Sequence, residues 1–216
     1  MKNDSYRHKG LRKQLVNAIK NRGIVDDSVL EAINKVPRHL FMDSSFLEYA
    51  YEDKAFPIGA GQTISQPYTV AFQTQLLAIS KNDKVLEVGT GSGYQSCVLM
   101  EMGAKVYTIE RQKELYWKAK KIFPVLGYKP KLVTFGDGYK GLPTYGPFDK
   151  IIVTAGAPFI PKALTDQLKP GGMLVIPVGE DIQTMKRIIK KEDATLIEED
   201  FGTFKFVPML INKTRS

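Results

Sequence analysis

The sequence predicts an α/β protein with a doubly wound, mostly parallel sheet that carries helices on both faces. Between residues 70 and 178, short apolar runs rich in valine and isoleucine alternate with stretches of helical periodicity, a pattern typical of repeated β-α units. A glycine-rich turn follows the first such run directly, as expected where a strand leads into a helix. After Gly179 the alternation stops and strand-like runs follow one another. We therefore expect antiparallel strands at the C-terminal end.

The predicted elements belong to a single domain of 216 residues, a length that buries a substantial core without disulfides. Apolar residues at helical spacing predict an N-terminal helix over 9–20 and a second helix that ends before Pro37. Later helices are predicted at 70–79, 94–102, 112–126 and 161–168. Strands are predicted at 84–88, 106–109, 131–135, 149–154, 173–178, 183–190, 195–199 and 203–210.

The composition, with 43% hydrophobic and 25% charged residues, is that of an ordinary globular protein. No run of about 18 apolar residues is present to span a bilayer, and the N-terminus lacks the apolar core of a secretory signal, so we expect a cytoplasmic location. Cys97 is the only cysteine, and the histidines His8 and His39 lie far apart in sequence. We therefore expect neither an intrachain disulfide nor a metal site.

The net charge of +8 and the pI near 9.4 have three interpretations. Lysine and arginine neutralise phosphates, so nucleic-acid binding is one of them. The basic residues are, however, spread over the segments 7–22, 111–131 and 183–191, which favours solvated faces. Acidic protein or peptide substrates would also be attracted by such a field.

The stretch from Lys84 to Gln95 reads Lys-Val-Leu-Glu-Val-Gly-Thr-Gly-Ser-Gly-Tyr-Gln. Its glycines would let a ligand lie against bare backbone, with the amides of the next helix facing it. The order therefore indicates a nucleotide-type cradle, and a plain turn without a ligand is the alternative. The dinucleotide fingerprint would need a small residue where this sequence has Tyr94, so that class of ligand is disfavoured.

A segment rich in glycine, proline and small hydroxyl residues covers positions 56–68 and is predicted to be a loop. Gln62, Thr63 and Ser65 offer uncharged donors there, which suits the binding of an anion in a pocket that excludes water. A surface turn that caps the helix near Val70 is the alternative.

Acidic or small polar residues near the carboxyl ends of the predicted parallel strands are candidates for ligand binding, because ligands bind at that edge of such sheets. Glu110 comes 21 positions after Gly89, close to the spacing at which a carboxylate reaches ribose hydroxyls; a helix-capping role is the alternative. Asp137 could face an adenine edge or only form a turn between glycines. Glu87 would need a buried partner, either a ligand's ammonium group or a nearby lysine or amide.

Several segments together resemble one family, the protein-L-isoaspartate O-methyltransferases, which have the Rossmann-like S-adenosylmethionine methyltransferase fold. The most specific segment is Pro57-Ile-Gly-Ala-Gly-Gln-Thr-Ile-Ser-Gln-Pro67, and the glycine turn is of a kind found in many methyltransferases. The other matching segments are Gly136-Asp-Gly138, Phe148-Asp-Lys-Ile-Ile-Val-Thr154, Leu168-Lys-Pro-Gly-Gly172 and Phe206-Val-Pro208. The strongly basic balance departs from the family and leaves the preferred substrates open.

The resemblance implies a repair enzyme that transfers a methyl group from S-adenosyl-L-methionine to the α-carboxyl group of L-isoaspartyl residues. The ester then cyclises to a succinimide, whose hydrolysis returns some aspartate. It implies isoaspartyl proteins and peptides as partners, no metal, no nucleic acid and no membrane, and a monomer is expected. No catalytic base is needed, because a carboxylate with a pKa near 4 is already ionised at pH 7. Cys97 and His39 are therefore expected to be structural.

The resemblance implies candidate residues for catalysis, for substrate binding and for cofactor binding. Ser65 is the catalytic candidate, as an orienting donor, and Thr63, Ile64, Ser65, Val207 and Pro208 are the substrate-binding ones. The cofactor-binding candidates are Glu87, Gly89, Thr90, Gly91, Ser92, Gly93, Glu110, Arg111, Asp137 and Gly138. The expected divisions are a helical extension (1–55), a substrate loop (56–69), a cofactor-binding core (70–180) and C-terminal strands (181–216).

Two other functions fit the same fold, because fold does not fix function. An RNA or small-molecule methyltransferase would suit the basic charge but leaves the 57–67 segment unexplained. A protein that binds an adenosine ligand without turnover is the second alternative.

Overall fold

The structure, a computed structural model, describes residues 4–214. Its helices are α1 Tyr6–Asn21, α2 Asp27–Lys35, α3 Pro67–Leu77, α4 Tyr94–Glu101, α5 Lys113–Val125 and α6 Lys162–Asp166. Its strands are β1 Phe56–Gly59, β2 Gln62–Ile64, β3 Lys84–Val88, β4 Lys105–Glu110, β5 Leu132–Phe135, β6 Phe148–Val153, β7 Leu168–Val178, β8 Gln183–Lys190 and β9 Leu196–Phe204. Short 3-10 helices lie at Arg38–Phe41, Ser44–Tyr49, Gly138–Lys140 and Pro143–Tyr145. Among the helices of this described part, none is long and apolar enough to cross a bilayer.

The main sheet has the strand order β5-β4-β3-β6-β7-β8-β9. Strands β3 to β7 run parallel to one another, and β8 and β9 are antiparallel to their neighbours. The chain winds from β3 outward through β4 to β5 and then returns to place β6 on the other side of β3. This reversal creates a switch point between β3 and β6, where a crevice forms at the carboxyl ends of the strands. The predicted fold class is confirmed.

The N-terminal helices pack on α3 and α4. Asp26 begins α2 by accepting hydrogen bonds from the backbone amides of Ser28 at 2.9 Å and Val29 at 3.4 Å, the usual arrangement at a helix start. Val29 and Ile33 are fully buried in a core that also receives side chains from α1, α4 and α5. These helices therefore pack on the α/β core and enlarge it.

Three predictions of local structure are wrong. Residues 56–64 form the β1–β2 hairpin, and the next helix already begins at Pro67, where a proline loses no hydrogen bond. Strand β7 begins at Leu168, which already pairs with Phe148 of β6; the glycines predicted to form a turn lie in an irregularity of the strand before the pairing resumes at Met173. The two C-terminal strands predicted at 195–199 and 203–210 are one strand, β9, followed by an extended segment that makes only an isolated bridge to Gly156.

Candidate active site

A cavity lies at the carboxyl ends of β3, β4 and β6, at the switch point of the sheet. Its walls come from the end of β2, the turn after β3, the end of β4 and the segment after β9. Of the predicted site residues, it brings together Thr63, Ile64, Ser65, Gly89, Thr90, Gly91, Ser92, Glu110, Arg111, Gly138, Val207 and Pro208. The predicted substrate residues thus share one cavity with most of the predicted cofactor residues.

The turn after β3 presents bare backbone to this cavity. Gly89 has a φ of +97°, a conformation that other residues adopt only with strain. A Cβ atom at Gly89 would lie 2.5 Å from Oγ1 of Thr154 at the end of β6. That hydroxyl donates to the carbonyl oxygen of Gly89 at 2.7 Å, so the two strand ends are held together where only glycine fits.

Glu110, at the end of β4, is bound by the backbone of two neighbouring turns. One carboxylate oxygen accepts from the amide of Gly91 at 2.8 Å, and the other accepts from the amide of Gln112 at 2.7 Å. Burial raises the pKa of Glu110, and the hydrogen bonds from these amides oppose that shift. Gln112 is the residue directly before α5, so Glu110 binds the amide at the start of that helix, in line with the helix-capping alternative. Glu110 also lines the cavity.

The wall that holds Ser65 is formed by the β1–β2 hairpin. Ala60 and Gly61 have φ values of 50° and 67°, which places both central residues in the left-handed region that tight hairpin turns require. Behind the hairpin, Asp53 accepts from the backbone amide of Tyr68 at 2.7 Å. The segment containing Ser65 is therefore fixed at both ends, by the strand pairing before it and by Asp53 after it.

The opposite wall is the segment that follows β9. The amide of Gly156 donates to the carbonyl of Val207 at 2.8 Å, and the amide of Met209 donates back to Gly156 at 2.7 Å. Further along, Arg111 donates through Nε to the carbonyl of Asn212 at 2.9 Å. These bonds carry the chain across the carboxyl edge of the sheet and close the cavity.

Three predicted cofactor residues lie outside the cavity lining. Gly93 starts α4, and a Cβ there would lie 2.9 Å from the Phe123 ring of α5, so close helix packing explains this glycine. Asp137 caps the following 3-10 turn by accepting from the amide of Tyr139 at 3.0 Å, and its other oxygen accepts from the amide of Asn212 at 3.1 Å. The turn-forming role considered for Asp137 is therefore present.

Glu87, the third of these residues, is fully buried beneath the cavity floor. Its partner in the structure is the hydroxyl of Ser96 on α4, which donates to Oε2. Burial raises the pKa of Glu87 to about 8, against the effect of hydrogen bonds from Ser96 and Thr108. Among residues 4–214, neither a lysine nor a backbone amide is the partner that the sequence left open.

Several residues that line the cavity were not predicted from the sequence to belong to the site, among them Val70, Tyr94, Gln95, Thr154, Ala155, Met209 and Leu210. Thr154 was detectable, because it ends the strand predicted at 149–154 and is a small polar residue. Tyr94 entered the sequence analysis only as the bulky residue that disfavours a dinucleotide. Its ring meets Phe41 edge-on at 5.6 Å and lies 5.1 Å from the guanidinium of Arg38, so it is chiefly a packing residue.

His8 and His39, although far apart in sequence, meet in the fold. Their rings stack with centroids 3.8 Å apart, because α1 packs against the 3-10 helix that holds His39. Asp4 completes a group whose potential ligand atoms lie within 4.8 Å of one another. Both carboxylate oxygens of Asp4 accept hydrogen bonds from Arg12 at 3.0 Å, so that carboxylate already has a cationic partner.

Cys97 is fully buried on α4, and burial raises the pKa of its thiol. The protonated form is therefore favoured at neutral pH, and thiolate chemistry is disfavoured. This agrees with the packing role expected from the sequence.

A cavity at the switch point, a glycine turn after β3 and a carboxylate at the end of the adjacent strand are features of nucleotide-binding α/β folds, and the family model and relatives identify the class as S-adenosylmethionine-dependent methyltransferases. The sequence model of the family described as protein-L-isoaspartate(D-aspartate) O-methyltransferase matches residues 10–214. The chain belongs to this family.

Individual relatives agree with the family assignment. The protein-L-isoaspartate O-methyltransferase of Christiangramia forsetii is 63% identical over 97% of this chain and 99% of its own length. That of Flavobacterium johnsoniae is 61% identical over the same shares. A crystal structure from Plasmodium falciparum, described as a protein-L-isoaspartate O-methyltransferase in complex with S-adenosyl-L-homocysteine, is 28% identical, covers 93% of this chain and 99% of its own, and has a TM-score of 0.81.

Proposed function

We propose that this cavity carries out the reaction of its family, methyl transfer from S-adenosylmethionine to the α-carboxyl group of L-isoaspartyl residues in damaged proteins and peptides. The observation that carries the proposal is the shared cavity: Thr63 to Ser65 and Val207 to Pro208 border the same space as the glycine turn. The residues assigned to the methyl donor and those assigned to the substrate carboxylate therefore face one cavity.

The cofactor half of the proposal rests on the turn after β3 and on Glu110. S-adenosylmethionine, when bound, supplies a methyl group attached to a positively charged sulfur. Gly89 and Gly91 line the cavity with backbone alone, so a ligand can lie directly against the turn after β3. Each carboxylate oxygen of Glu110 accepts one amide hydrogen and keeps acceptor capacity for ribose hydroxyls. The Plasmodium relative with bound S-adenosyl-L-homocysteine supports the same assignment.

The substrate half of the proposal requires orientation and no proton transfer. An isoaspartyl carboxylate is ionised at pH 7, so the protein needs no base. We assign the Ser65 hydroxyl and the Thr63–Ile64 backbone to the substrate carboxylate, with Val207 and Pro208 closing the side. Among the described residues, the Ser65 hydroxyl has no hydrogen bond, so it is available for a carboxylate. Holding the reacting groups in line and excluding water are the protein's remaining contributions.

Other parts of the proposal concern the organisation of the chain. Residues 1–55 act as a supporting extension, 56–69 as the substrate segment, 70–180 as the cofactor core and 181–216 as the closing strands of a single domain. A monomer that does not use nucleic acid and acts in the cytoplasm is the simplest form of this proposal.

The test is transfer of labelled methyl groups to two synthetic peptides that differ only in having isoaspartyl or aspartyl at one site, scored as base-labile ester. We expect label on the isoaspartyl peptide alone. Ser65→Ala should lower kcat/KM about 10- to 100-fold, since a hydrogen bond to a charged group contributes about 1.5–3 kcal/mol. Ser65→Thr, which keeps the hydroxyl, is the matched control and should retain most of the activity.

Two outcomes would contradict the proposal at different levels. Full turnover of Ser65→Ala at saturating peptide would remove the role of Ser65 and leave the reaction standing. Cofactor binding without label on either peptide would exclude isoaspartyl methylation and favour RNA methylation or a binding-only role.

A further inference from the structure

The guanidinium group of Arg38, on the 3-10 helix Arg38–Phe41, is fully buried but mostly unpaired. Its Nη2 donates to the carbonyl oxygen of Lys54 at 3.1 Å. Nε and Nη1 are buried without a hydrogen-bond partner among residues 4–214. Because an unpaired buried donor costs stability, this arrangement calls for an explanation beyond packing.

The positive charge of Arg38 also lacks a close counter-charge. Arg12 is the only other buried arginine in the described part of the chain, and both its terminal nitrogens donate to Asp4 at 3.0 Å. Asp53 is the carboxylate that acts on Arg38, but its ion pair is with Arg22. Burial lowers the pKa of Arg38 to about 10, so the group is still charged at neutral pH.

This charge lies behind the wall of the cavity that is proposed to be the active site. The guanidinium carbon of Arg38 is 5.1 Å from the centroid of the Tyr94 ring, and Tyr94 lines the cavity. Both residues are buried, so little water screens the charge on this side. A ligand in van der Waals contact with this part of the wall would therefore lie on the order of 10 Å from the charge.

A buried positive charge beside the cavity acts with opposite sign on the two reactants, because it favours an anion and disfavours a cation. The isoaspartyl carboxylate is an anion, S-adenosylmethionine carries a positive sulfur, and the sulfur of S-adenosyl-L-homocysteine is neutral. At an effective dielectric constant of about 20, a unit charge about 10 Å away changes an affinity about 10- to 20-fold. The effect is therefore large enough to measure.

We propose that Arg38 is a positioning residue whose buried charge, behind Tyr94, attracts the substrate carboxylate into the cavity and no longer holds it once it is methylated. The inference rests on the proposed function, because it requires a carboxylate substrate and the methyl donor in this cavity. Transfer of the methyl cation from sulfur to a carboxylate oxygen removes one charge of each sign. Arg38 therefore acts on binding much more than on the transfer itself.

The experiment compares two substitutions of Arg38. Arg38→Met removes the charge at similar volume, and Arg38→Lys keeps the charge. Calorimetric titration measures the binding of S-adenosylmethionine and of S-adenosyl-L-homocysteine to each protein. A second titration adds an isoaspartyl peptide to the complex with S-adenosyl-L-homocysteine, and the same peptide with a carboxamide in place of the α-carboxyl group is the uncharged reference.

The expected changes for the anion and for the cation have opposite directions. In Arg38→Met, the affinity for the isoaspartyl peptide should fall about tenfold, and the affinity for the carboxamide peptide should stay unchanged. The ratio of the affinity for S-adenosylmethionine to that for S-adenosyl-L-homocysteine should rise about fivefold in this variant. Arg38→Lys should return both values toward those of the unmodified protein. A purely structural role would not produce opposite changes.

Phe41→Leu is the matched control for packing. Phe41 lies on the same 3-10 helix as Arg38 and meets the Tyr94 ring edge-on at 5.6 Å. The substitution loosens the contact with Tyr94 without changing any charge, so the ratio of cofactor affinities should stay within about twofold. Thermal unfolding is measured for every variant. The melting temperature of Arg38→Met should not fall, because two unpaired buried donors are removed together with the charge.

An unchanged ratio of cofactor affinities in Arg38→Met, or equal weakening of the two peptides, would overturn the inference and leave the proposed function intact. The same rise of the ratio in Phe41→Leu would also overturn it. If Arg38→Met fails to fold, Arg38→Gln, whose amide can still donate to the Lys54 carbonyl, replaces it; failure of both shows a structural role and overturns the inference. Lack of methyl transfer to the isoaspartyl peptide by the unmodified protein would instead contradict the proposed function.

Discussion

Replacement of Gly89 by alanine tests whether the turn after β3 is as closely fitted as the structure indicates. An alanine there must adopt a φ near +97°, which costs about 1–2 kcal/mol for a residue with a Cβ. Its Cβ would also lie 2.5 Å from Oγ1 of Thr154, closer than real Cβ contacts. Thr154 must therefore move and give up its hydrogen bond to Gly89.

The magnitude follows from these two costs. Loss of a hydrogen bond contributes about 1 kcal/mol, and with the backbone strain the free energy of unfolding should fall by about 3 kcal/mol. Because Gly89 lies in the cavity wall, affinity for S-adenosyl-L-homocysteine should fall at least about tenfold. Urea unfolding and calorimetric titration measure the two effects separately.

Gly23 provides a matched control, because its φ is +99° and no atom lies within 4 Å of the position of its Cβ. Gly23→Ala should therefore show only the strain of about 1–2 kcal/mol and unchanged cofactor affinity. The double variant Gly89→Ala/Thr154→Ala removes the clash and should be less destabilised than the sum of its single variants. Equal destabilisation of Gly23→Ala and Gly89→Ala, with cofactor affinity within about twofold, would refute this account of the turn.

Two other predictions concern the substrate wall and the acid stability of the sheet. Asp53 accepts from the amide of Tyr68 at 2.7 Å and from the side chain of Gln66 at 3.0 Å, so Asp53→Asn should raise KM for an isoaspartyl peptide about fivefold. Affinity for S-adenosyl-L-homocysteine should stay unchanged, and weakened binding of both ligands would contradict a local role. Burial alone would raise the pKa of Asp149, but hydrogen bonds from Lys169 and from the Lys84 amide outweigh it and hold that pKa below its usual value. The stability that Asp149 contributes is present above the pKa of this group in the unfolded chain and is lost as pH falls through its pKa in the folded protein. The difference in the free energy of unfolding between Asp149→Asn and the unmodified protein should therefore shrink in acid. A difference that stays constant with pH in urea unfolding would refute this prediction.

The sheet and the position of its cavity were predictable because β-α repetition leaves few alternatives. Once β3 and β4 are recognised as neighbouring parallel strands, their carboxyl ends must meet at one edge. Gly89 and Glu110 are therefore brought together by topology, and only their spacing in the chain is needed to find them.

The hairpin could not be predicted because its turn uses an alanine, Ala60, at a φ of 50°. Left-handed backbone is expected at glycine or asparagine, so the segment resembles an irregular loop. The stretch after β9 was predicted to be a strand, but the structure shows an extended segment without a ladder. Its apolar residues alternate like those of a strand, yet they pack over the cavity.

Contacts between sequence-distant residues were also inaccessible. The stacking of His8 on His39 depends on how α1 lies against the 3-10 helix, and no periodicity encodes that angle. The partner of Glu87 could not be predicted for the same reason. Its position on β3 was evident from the sequence, but the contact with Ser96 depends on how α4 is rotated about its axis.

The segment after β9 gives the cavity a wall drawn from the far end of the described chain, facing residues 62–65. Detachment of β8 and β9 from the sheet would remove this wall, so the ligand site exists only while the whole sheet is assembled. Ligand binding is therefore linked to the cooperative unfolding of the sheet. At a concentration of 100 times Kd, a ligand would stabilise the assembled form by about 2.7 kcal/mol. The shift in melting temperature on adding cofactor thus reports on docking of the C-terminal strands as well as on occupancy of the site.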